Sequence, residues 1–130
     1  MKKLSFLFFL FTLYACSYEI KMKATINNDC SVNINIIDGE PQIRYILMTE
    51  ERDSKPNLKT IVWEANGNLK YAKHFTYGEL PNGFSENTAP SPLKNDTNYY
   101  FIVKGSGGGY GMTKIEYKCL TKSLSGTTNP

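Results

Sequence analysis

The feature that most constrains the fold of this 130-residue chain is a repeated alternation of apolar and polar side chains. Residues 20–26 and 30–36 each carry an apolar side chain at every second position, and the turn-forming stretch Asn27-Asn28-Asp29 separates them. Successive side chains of a β-strand point to opposite faces of the sheet. A period of two therefore predicts two half-buried strands joined as a hairpin.

The alternation continues along the chain. Residues 43–49 are apolar on both faces, which is typical of a central strand. Asn66-Gly67 follows the next apolar run, and this dipeptide favours a tight hairpin. We expect seven strands in all, over residues 19–26, 30–36, 43–49, 60–65, 69–77, 99–104 and 112–119. They predict an all-β fold, a seven-strand antiparallel β-sandwich of the immunoglobulin or fibronectin type III class.

Two connections stand out between these strands. The charged stretch from Glu50 to Lys55, with Pro56, is predicted to be a solvated loop. The segment from Gly78 to Asp96 has three prolines and no periodicity. A segment of this length is uncommon in a compact domain and is often functional.

The stretch LKNDTNY, from Leu93 to Tyr99, precedes the alternating Tyr100-Phe101-Ile102-Val103. It resembles the tyrosine corner that opens the sixth strand of fibronectin type III domains. The resemblance implies that the Tyr99 hydroxyl bonds to upstream backbone while the Tyr99 ring packs on Leu93. It concerns architecture and carries no statement about activity.

The N-terminus has the layout of a secretory signal peptide. Lys2 and Lys3 precede an apolar run from Leu4 to Leu13, which small Ala15 follows closely. The run is about half the roughly 20 residues that a transmembrane helix needs. A buried N-terminal helix is the alternative, although no polar position marks an outward face.

The sequence Leu13-Tyr14-Ala15-Cys16 resembles the bacterial lipoprotein signal at three of its four positions, and Tyr14 replaces the small residue usual there. The resemblance implies cleavage after Ala15 and acylation of Cys16 with fatty acids such as palmitate. The chain then divides into a signal peptide (1–15), a sandwich domain (16–119) and a polar C-terminal tail (120–130). Ser17 is not the aspartate that retains lipoproteins in the inner membrane, so in a two-membrane bacterium we expect an outer-membrane lipoprotein facing the periplasm.

The chain has three cysteines, and lipidation of Cys16 would leave Cys30 and Cys119. Export would place these two in an oxidising compartment, where a disulfide is the expected state. In a seven-strand alternation the second strand begins at the same pole at which the seventh strand ends. The sequence thus predicts a Cys30–Cys119 bridge, with two free buried thiols as the alternative.

Composition argues against several classes of partner and chemistry. Loss of Lys2 and Lys3 with the signal peptide lowers the basic residues from 15 to 13 against 12 acidic ones, so the basic charge does not indicate nucleic-acid binding. His74 is the only histidine, and the glycine-rich stretch 105–111 leads into a strand rather than the helix of a phosphate-binding loop. We predict no catalytic residues, no metal and no other cofactor, no small-molecule substrate and no enzymatic activity.

The overall layout consists of a lipobox, a cysteine opening the second strand, a tryptophan-bearing strand and the Leu93–Tyr99 corner. It resembles small periplasmic lipoproteins described as type VI secretion immunity proteins. The resemblance implies a membrane-anchored domain that binds and blocks a toxin acting in the periplasm. Leu80 and Phe84 of the long segment and Tyr110 of the glycine-rich stretch are the candidate partner-binding residues. The alternative is an accessory lipoprotein of an envelope or secretion assembly, or a lysozyme inhibitor.

Overall fold

The computed structural model describes residues 17–120, so the predicted signal peptide, Cys16 and residues 121–130 lie outside the described part. This part is all-β. Its nine strands are β1 (Tyr18–Glu19), β2 (Met22–Ile26), β3 (Val32–Ile36), β4 (Ile43–Arg52), β5 (Lys55–Leu69), β6 (His74–Thr76), β7 (Ser85–Thr88), β8 (Thr97–Gly105) and β9 (Gly109–Tyr117).

The strands form two sheets in a sandwich-like arrangement. The large sheet has the order β1-β9-β8-β4-β5-β7, and the small sheet has the order β2-β3-β6. The predicted β2–β3 hairpin is confirmed, with Ile26 opposite Val32 and Met22 opposite Ile36. All neighbouring strands are antiparallel except β1, which runs parallel to β9.

The core lies between the two sheets, because every second residue of each inner strand points towards the other sheet. Ile34 and Phe75 of the small sheet are buried in one cluster with Met48, Trp63 and Phe101 of the large sheet. The rings of Phe75 and Phe101 lie 5.8 Å apart between centroids. Packing of this kind requires both sheets, since a single amphipathic sheet leaves its apolar face in water.

The structure has nine strands in residues 17–120 where the sequence predicted seven. The two additional strands, β1 and β7, are two and four residues long and lie at the two edges of the large sheet. Their side chains are almost all exposed, so they carry no apolar alternation by which a strand could be recognised. The strand predicted over residues 69–77 is also shorter than expected, since only His74–Thr76 pair with β3.

The hairpin predicted at Asn66-Gly67 is wrong, because β5 continues through this dipeptide to Leu69. The chain reverses instead at Asp53 and Ser54, inside the stretch predicted to be a loop. Both residues have positive φ, 55° and 62°, as a two-residue type I′ turn requires. Gly67 is needed for a different reason: a Cβ there would collide with the Gly83 carbonyl oxygen and lie 2.7 Å from Phe84 Cα.

We predict that Gly67→Ala destabilises the protein by about 1–3 kcal/mol, the usual cost of overpacking a filled site. The atoms that the added methyl group meets belong largely to backbone and cannot rotate away. Urea unfolding followed by tryptophan fluorescence measures the loss. Asn66→Ala is the matched control, since Asn66 is exposed, and equal stability of the two variants would contradict the explanation.

The predicted disulfide joins Cys30 and Cys119, whose Cα atoms are 5.5 Å apart. It lies at the end of the sandwich formed by the β2–β3 turn, the β4–β5 turn and the start of β8, which we call the disulfide pole. The Cys119 backbone N–H donates to Asn95 Oδ1 at 2.9 Å, so the last strand is also held to the segment before β8. The opposite end, formed by Tyr18 and residues 37–42, 70–73 and 106–108, is the N-terminal pole.

We predict that the double variant Cys30→Ser/Cys119→Ser loses about 4 to 5 kcal/mol of unfolding free energy. The bridge closes a loop of 89 residues, and the chain-entropy model assigns a loop of this size a stabilisation of that order. Urea unfolding with and without reductant measures it. Reductant should destabilise the wild type and leave the double variant unchanged; a wild type insensitive to reductant under denaturing conditions would contradict the prediction.

Candidate functional site

The large sheet presents one face to the core and the other to the surroundings, and this second face is the candidate site. Ile46 and Met48 of β4 and Phe101 and Val103 of β8 point into the core, so the residues between them point outward. Strand register sets the outward residues in three rows across β9, β8, β4 and β5. We call these rows the outer face: Tyr110–Lys104–Tyr45–Asn66, Met112–Ile102–Leu47–Glu64 and Lys114–Tyr100–Thr49–Ile61.

The centre of the outer face is apolar. Leu47 and Ile102 lie opposite each other and are only 5% and 6% exposed, although no second sheet formed by residues 17–120 covers them. On the adjacent strand β9, the outward-pointing side chains of Tyr110 and Met112 are 47% and 46% exposed. Tyrosine and methionine are enriched in protein–protein interfaces relative to other surface.

One end of the outer face is fixed by a polar network around Glu64. The Tyr45 hydroxyl donates to Glu64 Oε2 at 2.9 Å, and Asn87 Nδ2 donates to Glu64 Oε1 at 3.1 Å. The Lys104 ammonium lies 5.5 Å from the centre of the Tyr45 ring. Burial, and secondarily the bond to Glu64, raises the pKa of Tyr45 to about 12. The hydrogen bond to Glu64 holds the Tyr45 hydroxyl in one orientation.

A second network borders the outer face near the disulfide pole. The Tyr100 hydroxyl lies 3.3 Å from Glu51 Oε1 and 3.1 Å from the Ser54 carbonyl oxygen, both acceptors. Lys114 Nζ forms an ion pair with Glu51 at 3.3 Å. A hydrogen bond from Asn98, together with Lys114 and Tyr100, holds the pKa of the Glu51 carboxyl below its usual value. The apolar centre thus has ordered charged groups on two sides.

The structure separates the three residues predicted to contact a partner. Tyr110 lies on the outer face, within β9 rather than at the tip of the glycine-rich turn, which comprises residues 106–108. Leu80 is 42% exposed and lies between β6 and β7, at the other edge of the large sheet. Phe84 is 7% exposed and belongs to the core, where it packs over Gly67. The Phe84 ring is not available to a partner, so the expectation for this residue does not suit the structure.

The long segment 78–96 lies along the edge of the large sheet for part of its length. It leaves β6 at the disulfide pole and returns there, where the Asp96 N–H donates to the Tyr117 carbonyl at 2.9 Å. Between these points it runs back along β5 and forms β7, with Ser85 opposite Asn66. The Trp63 indole N–H donates to Glu86 Oε1 at 3.1 Å and so joins β7 to the core. Much of the segment therefore closes the edge of the sandwich.

Sequence reasoning did not identify the centre of the outer face. The signal was present, because residues 43–49 are apolar on both sides of the strand and residues 99–103 are as well. This pattern indicated a central strand covered on both faces. Only the arrangement of sheets shows that, within residues 17–120, no second sheet packs on one of these faces.

The described residues contain no group of three or more histidine, cysteine, aspartate or glutamate side chains placed to hold a metal ion. His74 lies exposed on β6. A cleft of about 530 Å³ opens at the N-terminal pole between Tyr18, Glu19, Asp38, Glu40 and Ser106. Residues 17–120 also include no helix long and apolar enough to cross a bilayer.

Comparison of the chain with protein-family models, with curated proteins and with solved structures returned no match.

We predict that the raised pKa of Tyr45 gives the protein an alkaline-sensitive component of stability. The folded-state pKa exceeds the value of about 10 in an unfolded chain, so the contribution is full below pH 10 and is lost as the pH rises towards 12. Ultraviolet titration should show one late-ionising tyrosine fewer in Tyr45→Phe. Glu64→Gln should lower the pKa of Tyr45 but leave it above its ordinary value, because burial, the largest single cause, remains. An unchanged titration curve in Tyr45→Phe would contradict the assignment.

Proposed function

We propose that this protein is an envelope lipoprotein, anchored through Cys16, whose sandwich domain binds another protein without catalysing a reaction. The observation that carries the proposal is the pair of half-exposed side chains Tyr110 and Met112 on the outer face, which lie between two ordered polar networks. Small-molecule sites are concave and bury most of their ligand. A sheet face with half-exposed tyrosine and methionine side chains and a charged border suits a protein surface instead.

We also propose that the sandwich is of the immunoglobulin or fibronectin type III class. The geometry of Tyr99 supports this assignment. Its side chain is fully buried, and its hydroxyl accepts a hydrogen bond from the Lys94 backbone N–H, five residues upstream, at 2.9 Å. Leu93 is buried in the same core cluster. This arrangement is that of a tyrosine corner, and β1 and β7 are then additions at the two edges of the large sheet.

The partner that we propose is a toxin acting in the periplasm, so that the protein serves as an immunity lipoprotein. An immunity protein must be present where the toxin acts, and in a two-membrane bacterium the lipobox with Ser17 would place this protein on the periplasmic side of the outer membrane. The layout of lipobox, disulfide-bonded sandwich and tyrosine corner supports the proposal. The second candidate is an accessory lipoprotein of an envelope assembly or a lysozyme inhibitor, which the same outer face would also suit.

We predict that the protein purified from membranes has the mass of residues 16–130 plus the acyl groups on Cys16. Cys16→Ser should remain uncleaved and lack the lipid, because the cysteine sulfur is the acylated atom. Intact mass spectrometry of both proteins measures this. A mature protein with an unmodified Cys16 would refute the anchor and leave the binding proposal to be tested separately.

We predict that Tyr110→Ala/Met112→Asp abolishes partner binding while leaving the fold intact, since both side chains are half exposed on the outer face. The assay is periplasmic co-expression with candidate periplasm-acting toxins, followed by growth and affinity measurements. Thr25→Asp is the matched control, because Thr25 is exposed on the small sheet. Wild-type protection by the double variant would contradict the outer face as the binding surface.

The two candidate functions predict different results in a deletion strain. Loss of an immunity protein leaves the strain sensitive to toxin-bearing siblings and otherwise unaffected. Loss of an accessory protein leaves the strain resistant to these siblings but defective in an envelope or secretion assembly. If the deletion strain becomes sensitive to secreted lysozyme and shows no other defect, the result would favour the lysozyme inhibitor.

A further inference from the structure

The N-terminal pole combines exposed apolar side chains with the position of the proposed lipid. Ile37, directly after β3, is 61% exposed, and Tyr71, between β5 and β6, is 71% exposed. Tyr18 of β1 is 43% exposed at the same pole. Tyrosine, with an apolar ring and a polar tip, is enriched where proteins meet the membrane interface.

The connections at this pole are bonded to one another, so they form a fixed platform. The Ala72 N–H donates to the Pro41 carbonyl at 3.0 Å, and the Ser106 N–H donates to the Gln42 carbonyl at 2.9 Å. The Tyr18 hydroxyl donates to the Ser106 carbonyl at 2.9 Å. Tyr71 has a positive φ of 57°, an uncommon conformation for a residue other than glycine, and its turn is held by the Ala72 bond.

The chain leaves almost no distance between this platform and the lipid. Cys16 is two residues before Tyr18, which already pairs with Gly109 in the large sheet. Two residues span at most about 7 Å, which is comparable to the headgroup region of roughly 5–7 Å on each side of a bilayer. Acyl chains on Cys16 that enter the bilayer therefore draw the N-terminal pole against its surface.

We propose that the N-terminal pole is a membrane-contact surface, with Ile37 and Tyr71 seated in the lipid headgroup region. The inference rests on the lipid anchor proposed above, and the bilayer that holds the acyl chains is the occupant of this surface. Contact through these side chains restricts the tilt of the sandwich on its short tether. The outer face is then roughly perpendicular to the membrane plane and open to the periplasm.

Charges at the pole do not suggest an electrostatic mode of contact. Lys73 is paired with Glu40 at 3.1 Å, and Lys21 and Lys70 are balanced by Glu19 and Asp38. Long-range attraction to anionic lipids requires a clear excess of basic residues. Contact should therefore depend on apolar burial and persist at raised salt concentration.

Tryptophan quenching tests the proposal in the lipidated protein. Ile37→Trp and Tyr71→Trp are reconstituted separately into phosphatidylethanolamine–phosphatidylglycerol vesicles containing a doxyl-labelled phospholipid. Trp63 is fully buried, so the wild type gives the baseline, and Leu58→Trp is the matched control because Leu58 is 65% exposed on β5 near the disulfide pole. We expect at least about twofold quenching at positions 37 and 71, as for interfacial side chains, and baseline behaviour at position 58.

Three results would overturn the proposal. They are equal quenching at positions 37 and 58, no quenching at positions 37 and 71, or a blue-shifted tryptophan emission at positions 37 and 71 that the doxyl-labelled lipid does not quench. The last result would indicate a protein cover or a second copy of the chain. Mass spectrometry of the same samples reports separately whether Cys16 is acylated. If it is not, the Cys16 thiol is coupled to a maleimide phospholipid and the quenching is repeated, so that membrane contact is tested whatever the fate of the anchor.

Discussion

The pairing of β4 with β8 at the centre of the large sheet is the interaction on which the rest of the structure depends. Both strands are apolar on both faces, and their register sets Met48 opposite Phe101 on the core side and Leu47 opposite Ile102 on the outer side. One pairing thus produces two apolar surfaces. The small sheet covers the first, and the second is the outer face.

The two ends of the sandwich are held in different ways. At the disulfide pole the covalent bridge ties the end of the last strand to the β2–β3 turn, and the Asn95–Cys119 hydrogen bond ties it to the segment before β8. At the N-terminal pole, backbone hydrogen bonds join three connections to one another. A lipid on Cys16 would act at the second pole only, so the covalent bridge and the membrane contact would restrain opposite ends of the same sheets.

Several elements were predictable because the sequence pattern and the final environment agree. The β2–β3 hairpin follows from a period of two, and the Cys30–Cys119 bridge follows from the parity of the strands. The hairpin predicted at Asn66-Gly67 is wrong because tertiary packing outweighs the turn propensity of this dipeptide. Gly67 lies where residues 83–84 cross the strand. Phe84 misled for the same reason, since its burial depends on a contact with residues 17 positions away in sequence.

The sequence by itself determined the all-β class and the pairing of the second and last cysteines, because these depend on local periodicity, residue type and order along the chain. The lipoprotein signal at the N-terminus stays a prediction. The tertiary structure decided which apolar faces are covered. Alternation cannot distinguish a strand face buried by a second sheet from one left for a partner, since both carry the same residues. That choice depends on which strands become neighbours, and it placed Tyr110 on a surface and Phe84 in the core.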